Sequence, residues 1–141
     1  MKMKRILSFL LSLSFLLGLS ACDCEREYMN KQEIFGLVTE NEALLSKCVE
    51  TSEFSEVLAL DHRITVSVGK TYIDFYCGGK GLSVSGCDYG FYYSEEEIAL
   101  AVHSWASGEL LPQGEGYVQN GNNNYYTERI FKNFYYYESG F

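Results

Sequence analysis

Ile64-Thr65-Val66-Ser67-Val68-Gly69-Lys70-Thr71-Tyr72-Ile73-Asp74-Phe75-Tyr76 is the stretch that decides the fold. Ile64, Val66 and Val68 alternate with Thr65 and Ser67, the period of two that belongs to a strand with one buried face. Gly69-Lys70 suits a two-residue turn, and 71–76 runs back as a β-branched and aromatic strand. The pattern predicts a β-hairpin.

Downstream, Gly78, Gly79 and Gly81 break the chain, and a third strand is predicted over 89–93. Two more, 116–119 and 124–130, flank the turn-forming Asn120-Gly121-Asn122-Asn123, and 133–138 supplies the last. The segment 94–107 reads two ways: Ser94 with Glu97 resembles a helix capping box, whereas Ile98, Leu100 and Val102 alternate. A strand or short turn is the reading carried forward. Upstream the period is that of a helix. In 25–49, Ile34, Leu37, Val38, Leu44, Leu45, Cys48 and Val49 recur at intervals of three and four, which predicts one amphipathic helix bent near Gly36. Together these give an α+β fold, an N-terminal amphipathic helix packed on an antiparallel β-meander of five or six strands.

The chain has 12 Tyr, 9 Phe and 13 Gly but one Pro, and its aromatics concentrate in the predicted strands. Alternation puts Phe134 and Tyr136 on one face and Tyr135 and Tyr137 on the other; Tyr92 is likewise opposed to Phe91 and Tyr93. One set fills the core under the helix. The other, Tyr92, Tyr135 and Tyr137, is expected to face solvent or a partner as a ligand-binding tyrosine face, since such rings pair a flat apolar surface with a polar edge. The blander reading is that tyrosine merely suits half-buried strand positions.

The N-terminus carries Lys2, Lys4 and Arg5, then an apolar run of 14 residues, 6–19, then small residues before a cysteine. That run is shorter than the roughly 20 residues a membrane-crossing helix needs, which argues against a permanent helical anchor. Leu19-Ser20-Ala21-Cys22 resembles the lipobox of bacterial lipoproteins. The resemblance implies that 1–21 is a signal peptide and that Cys22 is lipidated. It further implies that the N-terminal lipid holds the chain to the extracytoplasmic side of the cell membrane; 22–30 then reads as the lipidated N-terminus and a short tether, and 31–141, of a size that suits one domain, as a single α+β domain. The alternative is an ordinary secreted chain cleaved nearby, with Cys22 a thiol or a disulfide partner. The net charge is −8; without 1–21, eight basic residues face 19 acidic ones, a charge of −11. Such a chain is repelled by nucleic acid, which is not an expected partner.

With Cys22 lipidated, Cys24, Cys48, Cys77 and Cys87 allow three disulfide pairings. Export to an oxidising compartment makes a Cys77–Cys87 bridge reasonable, because the two border the Gly-rich segment between predicted strands. Cys48 reads as a buried free thiol on the helix. Catalytic signatures are missing: His62 and His103 stand in no recognisable Cys-His arrangement, no CxxC or HExxH spacing marks a metal site, and no carboxylate pair stands out. Gly78-Gly79-Lys80-Gly81 matches no phosphate loop, and Asn120 to Asn124 lacks the aspartates of a calcium loop. No catalytic residue, cofactor or metal is expected.

Phe75-Tyr76-Cys77-Gly78-Gly79-x-Gly81, Gly90-Phe91-Tyr92-Tyr93-Ser94, Tyr126-Thr127-Glu128-Arg129-Ile130 and Asn133-Phe134-Tyr135-Tyr136-Tyr137-Glu138 resemble, in that order, segments of a group of small uncharacterised bacterial proteins with CGG, GFYYS and YTEKI…NFYYYE motifs. The resemblance spans about 64–141 and implies no activity. It departs between Ser94 and Gly108, where Glu95-Glu96-Glu97 stands without the group's proline. The expected function is a non-catalytic binding or interaction domain for a surface protein or an envelope glycan. The alternatives are a hydrolase of envelope or dietary polymers and a surface inhibitor or immunity-type protein.

Overall fold

The computed structural model describes residues 27–82, 85–102, 109–110, 116–120 and 123–140. The predicted signal segment, Cys22, Cys24 and His103 lie outside the described residues. Among the described residues three helices precede the strands: α1 (Lys31–Glu40), α2 (Glu42–Thr51) and the single turn α3 (Ser55–Leu58). Asn30 starts α1 through a capping box: its side chain accepts from the Glu33 N–H at 3.1 Å, and the Glu33 carboxylate accepts from the Asn30 N–H at 2.7 Å. The expected single helix bent at Gly36 is corrected to two helices parting at Asn41. Gly36 sits within α1 with open space around it, whereas Asn41 takes φ −119° and ψ 24° and caps Leu37 C=O with its side chain at 2.8 Å. Residues ahead of α1 also belong to the fold. Met29 is buried and its N–H donates to Cys77 C=O at 2.9 Å, so the stretch predicted as tether over 22–30 is fixed from Glu27 onward.

The strands are β1 (Thr65–Val68), β2 (Tyr72–Leu82), β3 (Ser85–Ser94), β4 (Leu100–Ala101), β5 (Glu109–Leu110), β6 (Gly116–Asn120), β7 (Asn123–Phe131) and β8 (Phe134–Gly140). Six form one antiparallel sheet in the order β1-β2-β3-β8-β7-β6, and β4 and β5 pair separately. The protein is α+β, but its sheet is not one meander. Two three-stranded meanders, β1-β2-β3 and β6-β7-β8, meet through β3 and β8, while β4 and β5, between them in sequence, pair outside that sheet.

Glycines set two local details. Gly69 N–H donates to Tyr72 C=O at 2.9 Å, which makes Lys70-Thr71, not Gly69-Lys70, the two-residue loop of the first hairpin. Gly78, at φ +93°, forms a bulge between Tyr76 and Gly79, and a side chain there would collide with Glu27 C=O. The bulge lets β2 run on to Leu82 where the sequence suggested a break.

The sheet buries both faces. On the first, Ile73, Phe75, Phe91 and Phe134 join Ile34, Val38, Leu45 and Cys48 of the helices in one cluster. Phe75 and Phe91 stack at 4.6 Å, and Phe54 meets Phe75 edge-on at 6.0 Å. On the second, Tyr92, Tyr125, Tyr135 and Tyr137 lie under Ala99, Leu100, Ala101 and Val102.

Candidate functional site

Tyr92, Tyr135 and Tyr137 face the side opposite the helices, as the alternation predicts, but they are not a solvent-facing surface: their exposures are 0%, 0% and 1%. The segment after β3, left ambiguous by the sequence, is what covers them. Glu95 to Glu97 form a turn, β4 follows, and the tyrosine hydroxyls bind its backbone. Leu100 N–H donates to the Tyr92 hydroxyl at 2.9 Å, which lies 3.0 Å from Thr127 Oγ1, and Thr127 in turn donates to Tyr136 C=O at 2.7 Å. With the outer two donors fixed, the proton between Tyr92 and Thr127 belongs to Tyr92. Tyr125 donates to Leu100 C=O at 3.0 Å and accepts from Val102 N–H at 3.4 Å, and Tyr135 donates to Glu97 C=O at 2.8 Å. The hydroxyls do for this covering strand what a neighbouring strand would otherwise do.

Asp74 lies among these rings, opposite Tyr92 in the ladder and hydrogen-bonded to the Tyr137 hydroxyl. Its Oδ1 is buried without a hydrogen-bond partner among the described residues. Burial, with some help from the negative charge of Asp88, pushes its carboxyl up to about 7, against the opposing pull of the Tyr137 bond. A carboxylic acid that stays protonated near neutrality is what a general acid requires. Here Oδ1 is shielded while the residue as a whole is half-buried, and its titration bears on stability. A lone Asp in the aromatic stretch Tyr72 to Tyr76 was the sequence signal for it, and sequence reasoning passed over it.

The expected Cys77–Cys87 bridge is absent: both are free thiols, as is the buried Cys48. The register puts Lys80 opposite Cys87, and the Gly78 bulge separates Cys77 from that pair. The strand ladder itself fixes the segment that a bridge would have clamped. Cys77 points its thiol to Phe75 C=O at 3.4 Å, and burial pushes its ionisation up, which makes it a poor nucleophile. His62 lies on the surface 2.5 Å from Glu27. Among the described residues no three His, Cys, Asp or Glu side chains converge to hold a metal.

Other tyrosines, Tyr89 and Tyr136 buried and Tyr28 and Tyr126 half-buried, carry the protein's own cations. Lys31 Nζ sits over Tyr126 at 5.0 Å, Tyr136 at 5.4 Å and Phe35 at 5.6 Å while pairing with Glu128 at 2.9 Å. Lys80 covers the stacked Tyr28 and Tyr89 at 5.8 and 5.6 Å. These rings are spoken for.

An open pocket of about 350 Å³ remains at the β1–β2 turn. Val49, Ile73, Tyr72 and Tyr93 supply its buried or half-buried wall, and Glu50, Lys70 and Glu95 its exposed charges. Its frame is well pinned: Glu95 N–H donates to Thr71 C=O at 3.1 Å, Ser94 N–H to Asn133 C=O at 2.9 Å, and Tyr93 meets Phe134 edge-on at 5.4 Å. No sequence motif announced it, because its lining comes from the end of α2, the first hairpin and the end of β3. No protein-family model, curated protein or solved structure matches this chain. The functional reading therefore rests on this geometry: an apolar hollow with tyrosine edges and charges of both signs suits binding.

Proposed function

We propose that the chain is a lipid-anchored extracytoplasmic binding domain without catalytic activity, tethered through Cys22, whose ligand occupies the pocket at the β1–β2 turn. The observation that carries the binding reading is that pocket, with Tyr72 and Tyr93 beside Glu50, Lys70 and Glu95. The tyrosine face first expected to bind is replaced by it, because Tyr92, Tyr135 and Tyr137 are buried. A neutral or basic ligand such as an envelope glycan or peptide fits a pocket lined by two carboxylates and one lysine on a chain whose net charge without 1–21 is −11. The helical layer over the first face and the 98–102 cover over the second make the sheet a rigid mount. From Cys22 to Glu27 five residues span at most about 18 Å, so the tether holds the domain close to the bilayer.

Two measurements test this reading. Cys22→Ala is expected to move the exported chain from the membrane fraction to the soluble fraction; an unchanged distribution removes the lipid anchor. Titration of glycan fragments and peptides into the chain is expected to raise its melting temperature by several degrees near about 100 times the dissociation constant. Lys70→Ala or Glu95→Gln, both on exposed side chains, is expected to change the affinity without changing the melting temperature of the free protein. If no ligand of either class binds, the pocket reading falls.

A further inference from the structure

The outer flank of β1 adjoins that pocket. Among the described residues β1 has β2 as its one neighbour in the sheet. The Gly69 to Tyr72 bond fixes which of its backbone groups point outward, since hydrogen-bonded and non-bonded pairs alternate in an antiparallel ladder. Ser67 with Asp74 and Thr65 with Tyr76 are the bonded pairs, so Val66 and Val68 turn their N–H and C=O groups away from the sheet. No described residue supplies these groups with a backbone partner.

Exposed edges are commonly guarded by charge, proline or a bulge. The four residues of β1, Thr-Val-Ser-Val, have none of these. The large apolar residues that are strongly exposed among the described ones, Leu58, Leu60 and Val68 at 43%, 37% and 65%, all fall on the approach to this strand or within it. Val68 lies opposite Ile73, on the face that carries the helices, and lines the pocket with Val49 and Glu50. A strand laid along β1 would send alternate side chains onto that same face, beside Glu50. The β1 strand of a second copy, Thr-Val-Ser-Val, would bring no cation to Glu50.

We propose that β1 is a docking strand: an extended, cationic segment of a partner polypeptide adds to it as a further strand of the sheet, and one of its Lys or Arg side chains enters the pocket toward Glu50. The inference rests on the pocket being the binding site and adds the mode and the kind of partner. Main-chain bonds to Val66 and Val68 supply affinity, and the pocket supplies selectivity. The aliphatic stem of the basic side chain packs along Val68 while its head remains at the polar rim. β2 runs from Tyr72 at the pocket to Gly78, which abuts Glu27, a distance of roughly 20 Å at strand rise. Val68, opposite Ile73, thus puts the pocket end of the docking edge away from the point where the tether enters, while Thr65, opposite Tyr76, lies nearer to it.

The test uses the exported chain in non-ionic detergent with a short peptide alternating valine and lysine. A peptide of the same composition with its lysines in one block and an alternating valine and glutamate peptide serve as controls. Binding of the alternating basic peptide is expected, with the Val66 and Val68 amides slowed about tenfold or more in hydrogen exchange. Val68→Pro, which deletes an outward N–H that β2 does not use, is expected to weaken that peptide about tenfold with little change in melting temperature. Val68→Lys should weaken it too, through charge and with the backbone intact, and Glu50→Gln should narrow the preference for the lysine peptide over the glutamate peptide.

Equal binding of the blocked peptide, or unchanged exchange at Val66 and Val68 in the bound state, would overturn strand addition. A dimer in sedimentation that Val68→Pro dissolves would assign the edge to a second copy and overturn the choice of partner. Should glycans or compact peptides shift the pocket variants while the alternating peptide does not bind, the pocket reading survives and strand addition fails. If nothing binds, both fail.

Discussion

The two faces of the central sheet are built from different chemistry although their residues alternate along the same strands. On the helix side, the centre is apolar: Phe75, Phe91 and Phe134 meet Ile34, Val38 and Leu45 by burial and ring stacking, and the one fully buried tyrosine described in that cluster, Tyr136, donates to Glu138 and not to a covering backbone. On the far side, Tyr92, Tyr125 and Tyr135 are as deeply buried, yet their hydroxyls bind the backbone of 97–102. A helix brings its backbone bonds satisfied within itself and needs only shape from the sheet. An extended segment crossing the sheet brings bare N–H and C=O groups, and buried groups of that kind need partners. Phenylalanine under helices and tyrosine under an extended cover are two answers to one requirement.

The strongest way to strain that contrast is to cut the apolar side. Phe75→Ala removes the ring stacked on Phe91 and met by Phe54, and about 3–5 kcal/mol of stability is expected to go with it. Chemical denaturation measures this directly. A loss below about 1 kcal/mol would mean that the helical layer contributes little to the core.

Next in size is the polar side's one unmet need. Asp74 holds its proton to about 7 in the folded protein, against an ordinary value of 3.8. Because the folded-state value is the higher one, the folded chain binds more protons than the unfolded chain between about pH 4 and pH 7, and stability falls as pH rises through that window. The fall is at most about 4 kcal/mol, since each tenfold change in proton affinity is worth about 1.4 kcal/mol. Asp61 acts in the opposite sense, held down to about 2 by its hydrogen bonds with Arg63, so its contribution is lost only on acidification below about pH 4 and leaves the upper window clear. Melting at pH 5 and pH 8 should therefore differ in the wild type and far less in Asp74→Asn. A wild-type curve that is flat or rises between these values would remove the buried acid from the account.

Exchange of chemistry across the faces comes third. Tyr92→Phe keeps the ring stacked on Tyr135 at 5.2 Å but leaves Leu100 N–H without its acceptor, an expected cost of about 1–3 kcal/mol. Phe91→Tyr inserts a hydroxyl into the apolar cluster and should also destabilise by about 1–3 kcal/mol. If either swap is neutral in denaturation, the division between phenylalanine and tyrosine is incidental.

Much of this contrast was written in the sequence, and its resolution was not. The period of two across Phe91-Tyr92-Tyr93 and Phe134-Tyr135-Tyr136-Tyr137 assigned each ring to its face, since a strand leaves no other choice. The helical period found the apolar residues of α1 and α2. What escaped was what lies on each face. Residues 94–102 have no strong period because their partners are side-chain hydroxyls rather than a regular ladder, so the cover was missed and Tyr92, Tyr135 and Tyr137 were expected in solvent. The helix break at Asn41 was misplaced to Gly36 because glycine is the commoner breaker, while an Asn that caps its own helix leaves no periodic trace. The union of β3 with β8 depends on closure between distant segments. The pocket draws Glu50, Lys70 and Tyr93 from three such segments, so no linear motif could contain it.

The smallest effect separates location from chemistry. Tyr126 sits on the helix side but at its rim, where its hydroxyl donates to Glu128, whose side chain is 28% exposed and also pairs with Lys31. Removing that hydroxyl with Tyr126→Phe takes away the same atom as Tyr92→Phe, yet water can reach Glu128, and Lys31 still holds it. The ring keeps its contact with the Lys31 ammonium. An exposed pair of this kind contributes about 0–1 kcal/mol, so the variant should lose no more than about 0.5 kcal/mol. Denaturation of the two variants side by side gives the comparison. If Tyr126→Phe were to cost as much as Tyr92→Phe, the tyrosine hydroxyl would carry a fixed value wherever it stands. If it costs a fraction, the value comes from the buried backbone N–H that Tyr92 alone can serve, and the tyrosines of the far face are there because an extended segment lies on them.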